Sequence, residues 1–73
     1  MAAPTSVRLP SLVHWRIQRN VTQAELARTI GVRRATIARI EAGNPALIKT
    51  AHRLADALDI NVNDLMRQPP TTD

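Results

Sequence analysis

Residues 22–43, TQAELARTIGVRRATIARIEAG, contain two short helical patterns separated by a single glycine. Thr22 and Glu25 have the S/T-x-x-E spacing of a capping box, in which the cap and the third helical residue satisfy each other's free backbone N–H groups. Gly31 and Gly43 follow the two patterns and suit left-handed helix ends, because glycine has no Cβ to clash. Helices this short are marginal alone in water. The segment therefore predicts two helices that pack on each other and on neighbouring helices.

Three further helical segments surround this pair. Helix 1 is predicted from about Pro10 to Arg19, with proline at an early position that tolerates its missing N–H. Helix 4 is predicted to begin with Asn44 as N-cap and Pro45 as its first residue, and a short helix 5 follows the capping pair Asn61 and Asp64. No stretch alternates with the period of two that a half-buried strand requires. The expected fold class is all-α, a compact bundle of five short helices.

Helix 3, from about residue 33 to residue 42, carries an unusual outer surface. If Ile37 and Ile40 face the core, positions 35, 38, 39 and 42 point away from it at 100° per residue. Those positions are three alanines and Arg39. A surface of methyl groups with one arginine suits close approach to another molecule. The alternative is that alanine is simply a good helix former.

Length and composition exclude several classes of protein. Seventy-three residues allow one domain, which we place at residues 8–67, with residues 1–7 and 68–73 as flexible tails. The absence of cysteine excludes disulfides, thiolate zinc sites and cysteine nucleophiles. The chain has neither the apolar run of a signal peptide nor the roughly 18 apolar residues of a membrane span. We expect a soluble, cytosolic protein.

Positive charge is concentrated in the first part of the chain. Residues 1–43 carry seven arginines against Glu25 and Glu41, whereas residues 44–73 carry three basic residues against four aspartates. A basic half on a compact domain favours a polyanionic partner. A net charge of +4 is also common in small domains for solubility alone.

The helical pair resembles a known family. The runs TQAELA at 22–27, GV at 31–32 and TIARIEAG at 36–43 are similar to the helix-turn-helix core of the lambda-repressor-like Cro/C1 family of DNA-binding domains. The similarity extends from about Leu12 to Met66, and ALDINVNDLM resembles the closing helix pair of that family. The resemblance implies that helix 3 lies in the major groove of double-stranded DNA and that helix 2 crosses the phosphate backbone.

Carried over position by position, the resemblance assigns roles to individual residues. The base-reading positions are Arg34, Ala35, Thr36 and Arg39. Arginine can donate two hydrogen bonds to guanine O6 and N7, and an alanine or threonine methyl can contact the thymine methyl. The expected phosphate contacts are Gln23, Arg33, Asn44 and Lys49. Arg33 stands where relatives usually have Ser or Thr as the cap of helix 3, which costs about 1 kcal/mol because arginine cannot accept that hydrogen bond.

Two further assignments concern stability and assembly. The resemblance implies a structural ion pair between Arg16 of helix 1 and Glu41 at the end of helix 3. It also places a homodimer contact in the carboxy-terminal part, where Val62, Leu65 and Met66 supply apolar groups, although Leu65 could be needed in the core.

Other candidate sites are weak. His14 and His52 have no clustered carboxylates around them, and no residue forms a nucleophile with a base and an orienting group. We therefore expect no enzymatic activity, no metal site and no cofactor. Val13 and Ile17 lie partly off the apolar face of helix 1, as secondary core residues or as an exposed partner surface.

These inferences predict a sequence-specific DNA-binding transcriptional regulator. We expect a repressor that binds a pseudo-palindromic operator as a homodimer, because one recognition helix reads only a few base pairs. A chain of this length leaves no room for a sensor domain. The alternative is an antitoxin, which binds a toxin protein and regulates its own operon.

Overall fold

A computed structural model describes residues 5–69 of the chain. The helices are α1 (Leu12–Gln18), α2 (Gln23–Ile30), α3 (Arg34–Glu41), α4 (Ile48–Leu58) and α5 (Val62–Met66). Two short strands, β1 (Ser6–Val7) and β2 (Ala46–Leu47), pair antiparallel. The mostly helical, five-helix fold predicted from the sequence is confirmed, but the prediction that the chain has no strand is wrong. No helix among residues 5–69 is long and apolar enough to cross a membrane.

The two helix ends that the sequence marked most strongly lie where expected. The Thr22 hydroxyl accepts the Glu25 N–H at 3.0 Å, and Glu25 Oε1 accepts the Thr22 N–H at the same distance. Gly31 ends α2 in the left-handed region, with φ of 77°. A side chain there would be strained, since L-residues rarely adopt this conformation. The turn between α2 and α3 is therefore set by local sequence.

The chain before α1 is not helical. Pro10 was expected inside helix 1, but the helix begins two residues later, at Leu12. Ser11, which is only 1% exposed, explains the difference. Its backbone N–H donates to the Leu65 carbonyl at 3.2 Å, and its hydroxyl donates to the Arg67 carbonyl. These bonds hold the start of α1 against the end of α5, so both ends of the helical region are joined.

The connection between α3 and α4 also differs from the prediction. Asn44 does not cap α4, which begins at Ile48. Instead, Ala46 and Leu47 pair with Val7 and Ser6. The Ile48 N–H donates to the carbonyl of Thr5 at 3.1 Å, so the residue before β1 satisfies a free N–H group at the start of α4.

This pairing corrects the predicted tail at residues 1–7. Ser6 and Val7 lie in a strand, and Val7 packs against the core. Residues 1–4, and residues 70–73 of the predicted carboxy-terminal tail, lie outside the described part of the chain.

The core is aliphatic and comes from every helix. Its fully buried leucines and isoleucine are Leu12, Leu26, Ile37, Leu54, Leu58 and Leu65. Trp15 packs against this cluster from α1. Leu65 is 0% exposed, so its predicted role in a dimer contact is wrong, because its side chain has no surface to offer a second chain.

Arg16 and Glu41 form the predicted ion pair. Arg16 Nε donates to Glu41 Oε2 at 2.5 Å, and Nη2 donates to Oε1 at 3.4 Å. The two side chains are only 16% and 7% exposed. A third Arg16 nitrogen, Nη1, donates to the Val21 carbonyl at 2.9 Å, and Gln23 Nε2 donates to Glu41 Oε1 at 2.8 Å. The pair is thus part of a network that joins α1, α2 and α3.

Replacing Glu41 with alanine should leave the domain largely unfolded. Removing one partner of a buried pair leaves an uncompensated charge and costs about 3 to 5 kcal/mol, comparable to the total stability of so small a domain. Asp56→Ala is the control, since Asp56 is an exposed carboxylate of α4. Thermal melts followed by circular dichroism measure both. A melting temperature for Glu41→Ala within a few degrees of wild type would contradict the prediction.

The capping box should be visible in the titration of Glu25. The hydrogen bond from the Thr22 backbone N–H holds the pKa of the Glu25 carboxyl below its usual value of 4.5. Because folding lowers this pKa, the hydrogen bond contributes to the stability of the fold at pH values above the pKa of the unfolded chain. That contribution is lost as the pH falls through the pKa of the folded chain. Thr22→Pro removes the N–H and should return the pKa towards 4.5, as measured by NMR. An unchanged pKa in the folded variant would exclude this bond as the cause.

Candidate nucleic-acid interface

The outer surface of α3 presents the residues predicted to read bases. Arg34, Ala35 and Arg39 are exposed, and Thr36 is half-buried. Ile37 and Ile40, on the opposite face, are 0% and 4% exposed. The helical periodicity therefore orients α3 as the sequence predicted, with its isoleucines in the core.

The arginines of this surface have free guanidinium groups. Within residues 5–69, none of Arg33, Arg34 and Arg39 lies within ion-pair distance of a carboxylate. Arg16, by contrast, is held by Glu41. Three unpaired cations around one helix create a positive potential that attracts an anionic ligand.

Arg33 precedes α3 as its N-cap. Its backbone is extended, with φ of −82° and ψ of 150°, and its side chain makes no capping hydrogen bond. The Arg33 side chain therefore does not satisfy a free N–H group of the first turn, as the sequence indicated. The Thr36 N–H donates to the Arg33 carbonyl instead, at 2.9 Å. Arg33 is exposed, so its guanidinium group is accessible to a ligand.

A groove on the α2 side of α3, which we call the Arg34 groove, has a volume of about 480 Å³. Its walls include Arg16, Ile17, Gln23, Ala24 and Arg34. The amino-terminal end of α2 opens here, and helix amino termini favour anions because of their free N–H groups and dipole. The groove therefore combines cationic and amide donors.

Gln23 has a role that the sequence did not show. One hydrogen of its amide is donated to Glu41 Oε1 at 2.8 Å, and the side chain is half-buried. An amide nitrogen carries two hydrogens, so a second donor remains for a ligand. The bond to Glu41 fixes the direction of that donor.

A second groove lies on the other side of α3, and we call it the Leu47 groove. Its volume is about 290 Å³. Thr36 and Arg39 of α3 form one wall, and Pro45, Leu47 and Thr50 form the other. The recognition surface of α3 is therefore flanked by a concave region on each side.

Asn44 and Lys49, the remaining predicted phosphate contacts, lie beyond the end of α3. Asn44 donates its backbone N–H and its side-chain Nδ2 to the Arg39 carbonyl, at 3.1 and 3.0 Å. Its first effect is therefore to close the end of α3. Lys49 is the second residue of α4 and is exposed.

Sequence reasoning missed Leu47, which is 49% exposed beside Arg39. A two-residue strand is too short for its alternation to be recognised in a sequence. Ile17, at 62% exposure, and Val13, at 36%, are exposed on α1, so neither is a core residue. The i, i+4 spacing of Val13 and Ile17 indicated that they share one face of α1, but spacing alone does not show whether other helices cover that face.

No arrangement for metal binding is present in the described part of the chain, where no three His, Asp or Glu side chains cluster. The interface instead offers cations, amides and small apolar groups.

Comparison with known proteins agrees with the helix-turn-helix resemblance of the sequence. The model of the Helix-turn-helix family matches residues 14–65. An uncharacterized HTH-type transcriptional regulator from Archaeoglobus fulgidus is 42% identical over 53 residues, which cover 70% of this chain and 73% of that protein. The crystal structure of the hypothetical transcription factor NHTF from Neisseria superposes with a TM-score of 0.72 and 26% identity, covering 82% of this chain and 67% of that one.

The amino-terminal DNA-binding domain of the biofilm regulator SinR from Bacillus subtilis has the same fold. Its TM-score is 0.68 at 23% identity, and the similarity covers 89% of this chain and 99% of that domain. The family consists of transcription-factor domains and is not an enzyme class. With the capping box, the glycine turn and the exposed arginine helix in place, this chain belongs to the Cro/C1-type helix-turn-helix family of DNA-binding transcriptional regulators.

Proposed function

We propose that this protein is a repressor that binds a pseudo-palindromic operator as a homodimer, with α3 in the major groove. The observation that carries the proposal is the outer surface of α3. It combines exposed, unpaired arginines with alanines whose small side chains allow the helix to enter the groove. An α-helix fits the B-DNA major groove, which is about 12 Å wide.

Arg39 is the principal base reader in this proposal. It is exposed on the face opposite the buried isoleucines, and its guanidinium group has no carboxylate partner among the described residues. Arginine donates to guanine O6 and N7 together. Arg34, at the start of α3, reads a second base pair. Ala35 and Thr36 contact the bases that lie between those read by Arg34 and Arg39.

The phosphate contacts lie around this helix. Arg33 precedes α3, and Gln23 opens α2 with its remaining amide hydrogen directed by Glu41. Lys49 and Asn44 contact DNA phosphates beyond the carboxy-terminal end of α3. Contacts of this kind position the protein on DNA without reading its sequence.

Two chains are needed because a single α3 spans too few base pairs to define a unique site. Met66 is 39% exposed and lines a groove with Arg8, Pro10 and Gln68, near the end of α3. We place the second chain there. Val62, which packs partly against the core, contributes its remaining surface. The antitoxin alternative has no comparable observation in its favour within residues 5–69.

Arg39→Ala and Arg33→Ala should weaken DNA binding in different ways. Loss of a bidentate guanine contact costs about 1 to 3 kcal/mol on the best site and removes preference at one base pair per half-site, with little change on non-specific DNA. Loss of a phosphate contact lowers affinity on all sequences and reduces the salt slope by about one unit per contact. The measurement is binding to an operator selected from random DNA, and to scrambled DNA, at several salt concentrations.

Arg53→Ala is the matched control, because it removes one exposed positive charge from α4, away from both grooves beside α3. It should change binding little. Equal losses for Arg39→Ala on operator and scrambled DNA would show that Arg39 contacts the backbone. If no sequence is enriched from the random pool, the proposal of sequence-specific binding fails altogether.

The operator complex should contain two chains on a two-fold symmetric site, with half-site centres about one helical turn apart. Met66→Gln should reduce affinity for the full operator and leave binding to an isolated half-site unchanged, because it places a polar amide in the apolar part of the contact without changing the net charge. Sedimentation of the complex measures the stoichiometry. One chain per operator would overturn the dimer.

A further inference from the structure

Leu47 is exposed because of the register of β2. Side chains of consecutive strand residues point to opposite faces. Ala46, paired with Val7, is 6% exposed and belongs to the core, so Leu47, paired with Ser6, must point outwards. The ladder and the Ile48 N–H bond to Thr5 hold this register on both sides of Leu47. The leucine is therefore held in a defined position.

That position is next to Arg39, the proposed principal base reader in the last turn of α3. Leu47 lines the Leu47 groove together with Arg39 and Thr36. The end of α3 and the following loop are joined by the two hydrogen bonds from Asn44 to the Arg39 carbonyl. An isolated exposed leucine needs no explanation. Here, however, the leucine shares one concave surface with an unpaired arginine and a threonine.

We propose that Leu47 reads the C5 methyl group of a thymine in the base pair next to the guanine bound by Arg39. The inference rests on the proposed function and adds a base-reading residue from outside the recognition helix. In the major groove, guanine presents the acceptors O6 and N7, and thymine presents a methyl group. A cation beside an apolar wall matches such a pair of bases.

The groove has donors in Thr36, Arg39 and Thr50, but its surface at Leu47 and Pro45 suits a methyl group better than a phosphate. Leu47 and Pro45 have no side-chain donor for an anion, and Pro45 also lacks a backbone N–H. Burying a methyl group against a leucine side chain is favourable because both lose contact with water. The volume of about 290 Å³ exceeds that of a methyl group, so the edge of a base can enter with it.

Uracil substitution isolates the methyl group, because uracil differs from thymine only at C5. Each thymine of the selected operator is replaced by uracil in turn, and the dissociation constant is measured by fluorescence anisotropy. For the wild-type protein, one position per half-site should show a loss of about fourfold, the equivalent of one buried methyl group. For Leu47→Ala, the same substitution should have no effect, and its affinity for the thymine operator should equal or fall below that of wild type for the uracil operator.

Leu47→Asn, which keeps a similar size but is polar, should also lose the response to the methyl group. Val13→Ala is the control for removal of an exposed apolar side chain, since Val13 lines neither groove beside α3, and it should retain the fourfold response. If Leu47→Ala still distinguishes thymine from uracil, Ala35 or Thr36 reads the methyl group and the inference is wrong.

Two other outcomes separate the inference from the proposed function. If the wild-type protein binds its operator specifically but no uracil substitution changes affinity, the inference fails while the proposed function stands. If Leu47→Ala lowers the affinity relative to wild type by the same factor on the thymine and the uracil operators, Leu47 contacts the deoxyribose backbone instead. Absence of specific binding by the wild-type protein would overturn the proposed function itself.

Discussion

The carboxylate of Glu41 is the interaction on which the arrangement of the first three helices depends. It accepts hydrogen bonds from Arg16 of α1 and Gln23 of α2, while it belongs to the last turn of α3. At 7% exposure it has little access to water, so Arg16 compensates its charge and Gln23 supplies a hydrogen bond that water would otherwise make. The same bonds fix the angle at which α3 leaves α2 and direct the amide that opens α2. Fold stability and the proposed DNA contact thus share one network.

The opposite end of the interface is held by backbone bonds and by the side-chain amide of Asn44. The loop after α3 is closed by Asn44 and then enters β2, whose pairing with β1 places Leu47 outside and Ala46 inside. Since neither set of bonds involves a charged side chain, these bonds should be less sensitive to salt than the Arg16–Glu41 pair. The two sides of α3 therefore differ in chemistry, with donors in the Arg34 groove and an apolar wall in the Leu47 groove.

Arg19 shows how a basic residue can serve the fold instead of a ligand. Its Nε donates to the Leu58 carbonyl at 2.8 Å and its Nη2 to the Asp59 carbonyl at 3.3 Å, at the end of α4. Its guanidinium carbon lies 5.9 Å from the centre of the Trp15 ring. Two of the seven arginines in residues 1–43, Arg16 and Arg19, are engaged in this way. The charge excess of that half therefore overstates the charge available to DNA.

The sequence alone determined the features that depend on neighbours along the chain. The capping box of Thr22 and Glu25, the left-handed turn at Gly31 and the outward face of α3 follow from spacing of a few residues, because helix geometry is local. The Arg16–Glu41 pair came from the family pattern. Tertiary structure alone decided where α4 begins, that Leu65 is core and that Leu47 is exposed. Each of these features depends on a partner that is distant in sequence. The start of α4 and the exposure of Leu47 depend on pairing with residues 5–7, and the position of Leu65 depends on a bond to the start of α1. No local pattern specifies such a pairing, since a two-residue strand carries too little periodicity to be recognised.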